Sequence, residues 1–236
     1  MASLNVGKGH IYFDEKEANY SYSHYKSFDY SNDDAIDNVI HYITRTGKRS
    51  NRNDLIAWGS AGCCSYYATP EEIINQFKVV QEICRAGKDI NSKIVHEILT
   101  FSPSEQEVLL ADIASLIRYA KDCASIYFSH GFQCVYGIHD GYHCSTDNSN
   151  VEKKLHIHFC VNAVNYQTGN LFRTKRGNKA YSLNNGETFF KVPYDTKERE
   201  KLMNSLLYEK YLLRADPYQV EDFNDYLVKA YHQYNI

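Results

Sequence analysis

Lys153-Lys154-Leu155-His156-Ile157-His158-Phe159-Cys160-Val161-Asn162 alternates between two kinds of side chain. In an extended strand successive side chains point to opposite faces, so His156, His158, Cys160 and Asn162 share one side and Leu155, Ile157, Phe159 and Val161 the other. The apolar side can be buried, and the polar side is left for chemistry. Two imidazoles two residues apart converge in front of the sheet, where they offer a pair of nitrogen donors to a divalent cation. A pair alone is too few for a firm site, and an isolated His-x-His can equally satisfy a polar sheet face.

A third donor lies upstream. Phe132-Gln133-Cys134-Val135-Tyr136-Gly137-Ile138-His139 is rich in aromatic and β-branched residues and reads as a second strand. Antiparallel pairing of the two strands would bring His139 toward the pair. Residues 140 to 153, with their Gly, Ser, Asn and Asp, read as an irregular loop, in which His143 is a rival ligand.

The remaining segments supply helices and a further strand. Ser31 with Asp34 forms a capping signature ahead of Ile36, Val39, Ile40 and Ile43 at helical spacing, with Gly47 as the stop. Thr69-Pro70-Glu71-Glu72 opens a second helix, and Lys93 to Phe101 reads as a strand whose His96 is structural or a distant alternative ligand. Ser102-Pro103-Ser104-Glu105 opens a long helix with its stripe running from Leu109 to Tyr127. Residues 9 to 28 read as edge strands or an ordered arm, and residues 195 to 213 and 216 to 234 as two C-terminal helices. Together these predict an α+β fold: a two-layer sandwich with a central, mainly antiparallel sheet, helices packed on one face, the metal site on the other, and C-terminal helices added. One domain spans residues 1 to 236, with 195 to 236 as a helical appendage, or the chain is the N-terminal part of something longer.

A formal net charge of −3 excludes a uniformly basic nucleic-acid binder, so any DNA contact falls to local patches. Arg45, Lys48, Arg49 and Arg52 form one such patch, and Arg173, Lys175, Arg176 and Lys179 another. Seven cysteines without a secretory signal point to reduced thiols. No stretch is long enough to span a bilayer, which predicts a cytoplasmic protein without membrane insertion. The 21 tyrosines offer faces that can stack on bases, although most are expected to fill core and surface.

Taken in order, the chain presents a helix-borne tyrosine, a strand leading into Ser-Pro-Ser-Glu, a strand ending in His139-Asp140, and then His156-Ile157-His158 with Asn162. This succession resembles the relaxases of plasmid mobilisation and conjugation, within the HUH endonucleases. Ile40-His41-Tyr42-Ile43-Thr44-Arg45-Thr46-Gly47-Lys48 is similar to the segment bearing their nucleophilic tyrosine. Phe101-Ser102-Pro103-Ser104-Glu105 is similar to the motif whose serine seats DNA, and Gly137-Ile138-His139-Asp140 with residues 155 to 162 to the three-histidine motif. In relaxases the acidic residue stands two positions after the first histidine, whereas Asp140 follows directly, which leaves His139 and His143 both open as third ligand.

The resemblance implies a metal-dependent, strand-specific endonuclease that nicks single-stranded or hairpin DNA at an origin of transfer through a 5′-phosphotyrosyl intermediate. Tyr42 would be the nucleophile, activated by the cation or by Asp140. His139, His156 and His158 would hold Mg2+ or Mn2+, with Zn2+ also suited to imidazole. Ser102, Asn162 and the two basic patches would contact DNA, and accessory DNA-binding and coupling proteins would be partners. The alternatives are a rolling-circle replication initiator or HUH transposase, in which the tyrosine follows the histidines, or a catalytically silent DNA-binding module.

Overall fold

The protein is described by a computed structural model covering residues 2–6, 30–47, 54–63, 68–85, 90, 92–143, 152–172 and 196–212. The alternating stretch is the heart of β5 (Glu152–Asn162), the middle strand of a five-stranded sheet. Its companions are β1 (Ser3–Val6), β2 (Leu55–Ala61), β3 (Ile94–Thr100) and β4 (Cys134–His143), in the spatial order β1-β3-β5-β4-β2. Every neighbouring pair is antiparallel. Leu155, Ile157, Phe159 and Val161 are fully buried, as the alternation requires of a strand with neighbours on both edges.

β4 and β5 pair continuously from Cys134 opposite Val161 to His143 opposite Glu152, so residues 140 to 143 and 152 to 153 belong to a long hairpin rather than to an irregular loop. Cross-strand pairing overrides the turn-like composition of Asp140 and Gly141, because each added pair satisfies backbone groups that a loop would leave to water. β1 and β2 carry weak signals in the sequence. β2 contains Gly59 and two alanines, and Gly59 is needed where it stands: a Cβ there would lie 2.6 Å from the Tyr136 hydroxyl.

The helices are α1 (Ala35–Thr44), α2 (Pro70–Cys84), α3 (Pro103–Ala111), α4 (Ile113–Ser129) and α5 (Thr196–Leu206), the last running on into a π-helical turn at Leu207–Leu212. α4 lays Leu116, Tyr119, Ala120, Cys123, Ala124 and Tyr127 on the apolar side of the sheet. α5 and the turn bring Met203, Leu207, Tyr211 and Leu212 to the same core. The long helix expected after Ser102 is divided at Asp112, whose side chain accepts from the Ser115 amide at 3.0 Å and so caps a new helix. The α+β sandwich is as expected, with one addition. α1 and α2 lie on the histidine side of the sheet, where Ile36, Val39, Ile40, Ile43, Ile73, Ile74 and Phe77 pack with Ile94, Val135 and Cys160.

Two capping boxes match their sequence signatures. Thr69 and Glu72 exchange backbone and side-chain bonds at the start of α2, as do Ser102 and Glu105 at the start of α3. α1 begins later than Ser31 suggests, with Asp34 as its cap residue. Burial alone would push the Glu105 carboxyl up, but the Ser102 amide, the Tyr208 hydroxyl and the Ser102 hydroxyl hold it below the ordinary glutamate value. A depressed folded-state value stabilises the protein above the unfolded value near 4.5 and is lost as pH falls through the folded one. Glu105→Gln is therefore expected to lower stability at neutral pH by about 1 kcal/mol and to flatten the acid limb of a stability-against-pH curve, measured by urea denaturation.

Cys63, Cys84, Cys123, Cys134 and Cys160 are free thiols among the described residues. No described helix is long and apolar enough to cross a membrane.

Candidate metal centre and its tyrosine

Register places the polar residues in transverse rows across the sheet. Thr100, His156, His139 and Leu55 form one row on β3, β5, β4 and β2, and Ile98, His158, Gly137 and Trp58 form the next. His156 and His158 point to the same side because they are two residues apart, and His139 joins them because it pairs directly with His156. The ring centroids of His139 and His158 lie 4.8 Å apart, those of His156 and His158 4.8 Å, and those of His139 and His156 5.4 Å. One ring nitrogen from each residue falls within 4.8 Å of the others, a spacing that a single ion can bridge. His143 is four residues further along β4, about 13 Å at the usual strand rise, so its backbone lies well outside this trio.

All three imidazoles are buried, and the Nε2 atom of His158 has no hydrogen-bond partner. A buried polar nitrogen without a partner costs free energy unless a ligand completes it, so this atom fits a bound cation. The other nitrogen of His158 is held from behind. Its Nδ1 is 2.9 Å from His96 Nε2, and His96 Nδ1 is 3.0 Å from the Tyr30 hydroxyl. A histidine that ligates through Nε2 carries its proton on Nδ1, so in the metal-binding form His158 donates to His96 and His96 donates to the Tyr30 oxygen. Burial, then the neighbouring His139, His156, His96 and Arg45, holds His158 well below the ordinary histidine value. Burial and His156 push His96 down to about 4. Neutral rings are the form a cation needs.

His96, read from the sequence as structural or a distant ligand, is thus the residue that orients a ligand. Strand alternation could have flagged it, since His96, Ile98 and Thr100 face the same way as the histidine pair once β3 and β5 are known to be neighbours. His96→Ala is expected to weaken Mn2+ binding by about 10- to 100-fold, measured by calorimetry, with the fold retained.

Tyr42 comes to the same place from α1. Its ring makes edge contacts with His158, 5.3 Å between centroids, and with His139, 6.1 Å. Gly137 permits this approach: a Cβ there would collide with the Ile43 carbonyl oxygen, so the end of α1 rests directly on β4 in the row that holds His158. The helix stops at Arg45, which adopts a left-handed conformation, φ 56°, ψ 29°, that non-glycine residues rarely occupy. Arg45 turns inward. Its guanidinium lies 4.6 Å from the centroid of the Tyr42 ring and forms a bidentate pair with Asp54, at 2.8 and 2.6 Å. Asp54, not singled out in the sequence, occupies the space over Gly141.

The other expected residues are placed differently. Asp140 pairs with Leu155, so alternation directs its side chain to the helical core side and away from His139. Asn162 is fully buried and bonded to Gln81, Gln133, the Phe77 carbonyl and the Val164 amide, tying β5 to α2. Ser102 caps α3. Lys48, Arg49, Arg52, Arg173, Lys175 and Arg176 lie outside the described residues, as does the second C-terminal helix.

A family model for the relaxase MobA/VirD2-like nuclease domain matches residues 42–185, more than half of the chain, and spans Tyr42 and all three histidines. The chain belongs to this relaxase family. The relaxase is accordingly a DNA-binding, DNA-nicking enzyme of a metal-dependent class within the HUH superfamily, and its three buried histidines could hold the ion. No curated protein and no solved structure matches the chain.

Proposed function

We propose that this relaxase is a site- and strand-specific transesterase that nicks one DNA strand at an origin of transfer, with Tyr42 as nucleophile, to begin mobilisation or conjugative transfer from the cytoplasm. The observation that carries the reading is the contact of the Tyr42 ring with both His139 and His158. A nucleophile and a set of cation ligands that meet over one small volume are what phosphodiester cleavage needs, because the phosphate's charge repels attack and its ester oxygen leaves poorly.

His139, His156 and His158 would hold Mg2+ or Mn2+, with Zn2+ also suited, and a cation so held supplies Lewis acidity and neutralises charge on the scissile phosphate. Tyr42 attacks phosphorus in line through its hydroxyl oxygen, losing its proton as the new bond forms. The bond to the 3′ oxygen breaks, that oxygen gains a proton, and the 5′-phosphate remains esterified to Tyr42. The phosphotyrosyl ester keeps the energy of a phosphodiester, so a 3′-hydroxyl can attack it and reseal the strand. No step is assigned to Asp140, whose side chain faces the helical core. The basic patches, Ser102 and stacking tyrosines would hold single-stranded DNA around the cut, and accessory DNA-binding and coupling proteins would deliver it.

The test uses labelled single-stranded oligonucleotides tiled across the cognate transfer origin, incubated with protein and Mn2+. One strand is expected to yield a protein-DNA adduct that survives denaturation, and EDTA is expected to abolish it. Absence of any adduct on either strand with Mn2+ or Mg2+ would contradict the reading.

A further inference from the structure

We infer that Arg45 is a built-in competitor of the metal: its guanidinium and the divalent cation hold His139 in mutually exclusive ways, so that cation binding requires Arg45 to leave the imidazole. The inference rests on the proposed three-histidine site. Arg45 Nη2 lies 3.1 Å from His139 Nδ1, and His139 Nε2 lies 2.8 Å from the Ile43 carbonyl oxygen. A guanidinium has donors and no acceptor, so Nδ1 must present its lone pair to Arg45. The carbonyl only accepts, so Nε2 must carry the proton. The one lone pair of this neutral imidazole is thereby taken by an internal cation.

Either route to metal ligation disturbs that arrangement. If Nδ1 becomes the ligand atom, the ion must occupy the place of Nη2. If Nε2 becomes the ligand atom, the ring proton moves to Nδ1, where it faces an N–H of Arg45, and two donors repel. Arg45 must withdraw in both cases. It is well held against withdrawal, because Asp54 binds it through two oxygens and the Tyr42 carbonyl accepts from Nη1 at 3.1 Å. Side-chain exposures of 6 % for Arg45 and 9 % for Asp54 remove the solvent screening that would weaken the clamp. The left-handed backbone at Arg45 is a further sign that the surroundings fix this residue despite local strain.

Mn2+ affinity without DNA, measured by calorimetry, tests the competition. Arg45→Met removes the donors and keeps bulk against the tyrosine ring. Arg45→Met with Asp54→Asn also removes the partner's charge, leaving the net charge of the pair unchanged. Both variants are expected to bind Mn2+ about tenfold or more tightly than the wild type, and His139→Ala added to either should cancel the gain. In the unsubstituted protein, the side-chain nitrogen resonances of Arg45 should shift in step with those of His139 on Zn2+ titration. Equal or weaker Mn2+ affinity in the folded double variant, or Arg45 resonances that do not move while His139 does, would overturn the inference and leave the three-histidine site standing. Failure of wild type and variants alike to bind Mn2+ or Zn2+ would overturn both.

Discussion

Tyr42→Phe is expected to leave DNA binding and the fold intact and to remove the covalent adduct, reducing strand cleavage on the order of a thousandfold or more. Only the hydroxyl is lost. The ring keeps its edge contacts with His139 and His158 and its place against the Arg45 guanidinium, while the hydroxyl's side-chain bond to Arg45 is lost with it, so metal affinity is read alongside cleavage. The substitution is read out with the cognate labelled strand: adduct by denaturing electrophoresis, binding by gel shift, metal by calorimetry. Normal Mn2+ affinity with no adduct is the expected pattern. Residual cleavage near the wild-type level would move the nucleophile to another group.

Arg199→Ala is expected to cost about 3–5 kcal/mol of folding stability, the largest single effect outside the site. Arg199 and Glu97 are both fully buried and form an ion pair, and the Tyr127 hydroxyl donates to the same carboxylate at 2.5 Å. Removing the guanidinium leaves Glu97 charged in a dry interior, so most of the cost is the stranded carboxylate rather than the bond itself. Urea denaturation should show the loss, and Arg199→Met combined with Glu97→Leu should recover much of it. A cost under about 1 kcal/mol for the single variant would show that water reaches the pair. This pair fastens α5 to β3 on one side of the sheet, directly beside His96, which faces the other, so a loosened α5 should also weaken metal binding.

What could be read from the sequence was whatever local periodicity controls. The two faces of β5, the capping boxes at Thr69 and Ser102 and the apolar stripe of α4 all follow from spacing within a few residues, and all are present. Partnership across the chain was harder. Asp54 carries no local signal, and its role is fixed by Gly141 and Arg45, which lie on separate elements. His96 gains its meaning only because β3 is hydrogen-bonded to β5. Arg45 read as one more cation in a basic patch, yet a left-handed backbone turns it inward to Asp54 and His139. Asp140 read as part of the site because it adjoins His139 in sequence, but adjacency on a strand means opposite faces. Helices on the histidine face were unforeseen because α1 and α2 cover only part of it, and their stripes alone do not say which side of a sheet they meet.

Tyr42 is proposed to take the DNA phosphate beside the three histidines. The most direct test is mass-spectrometric peptide mapping of the denatured adduct formed with the cognate strand in Mn2+. A nucleotide phosphate is expected on the peptide containing Tyr42, with fragmentation placing it on that residue. A phosphate carried by any other residue, or cleaved DNA with no modified peptide, would contradict it.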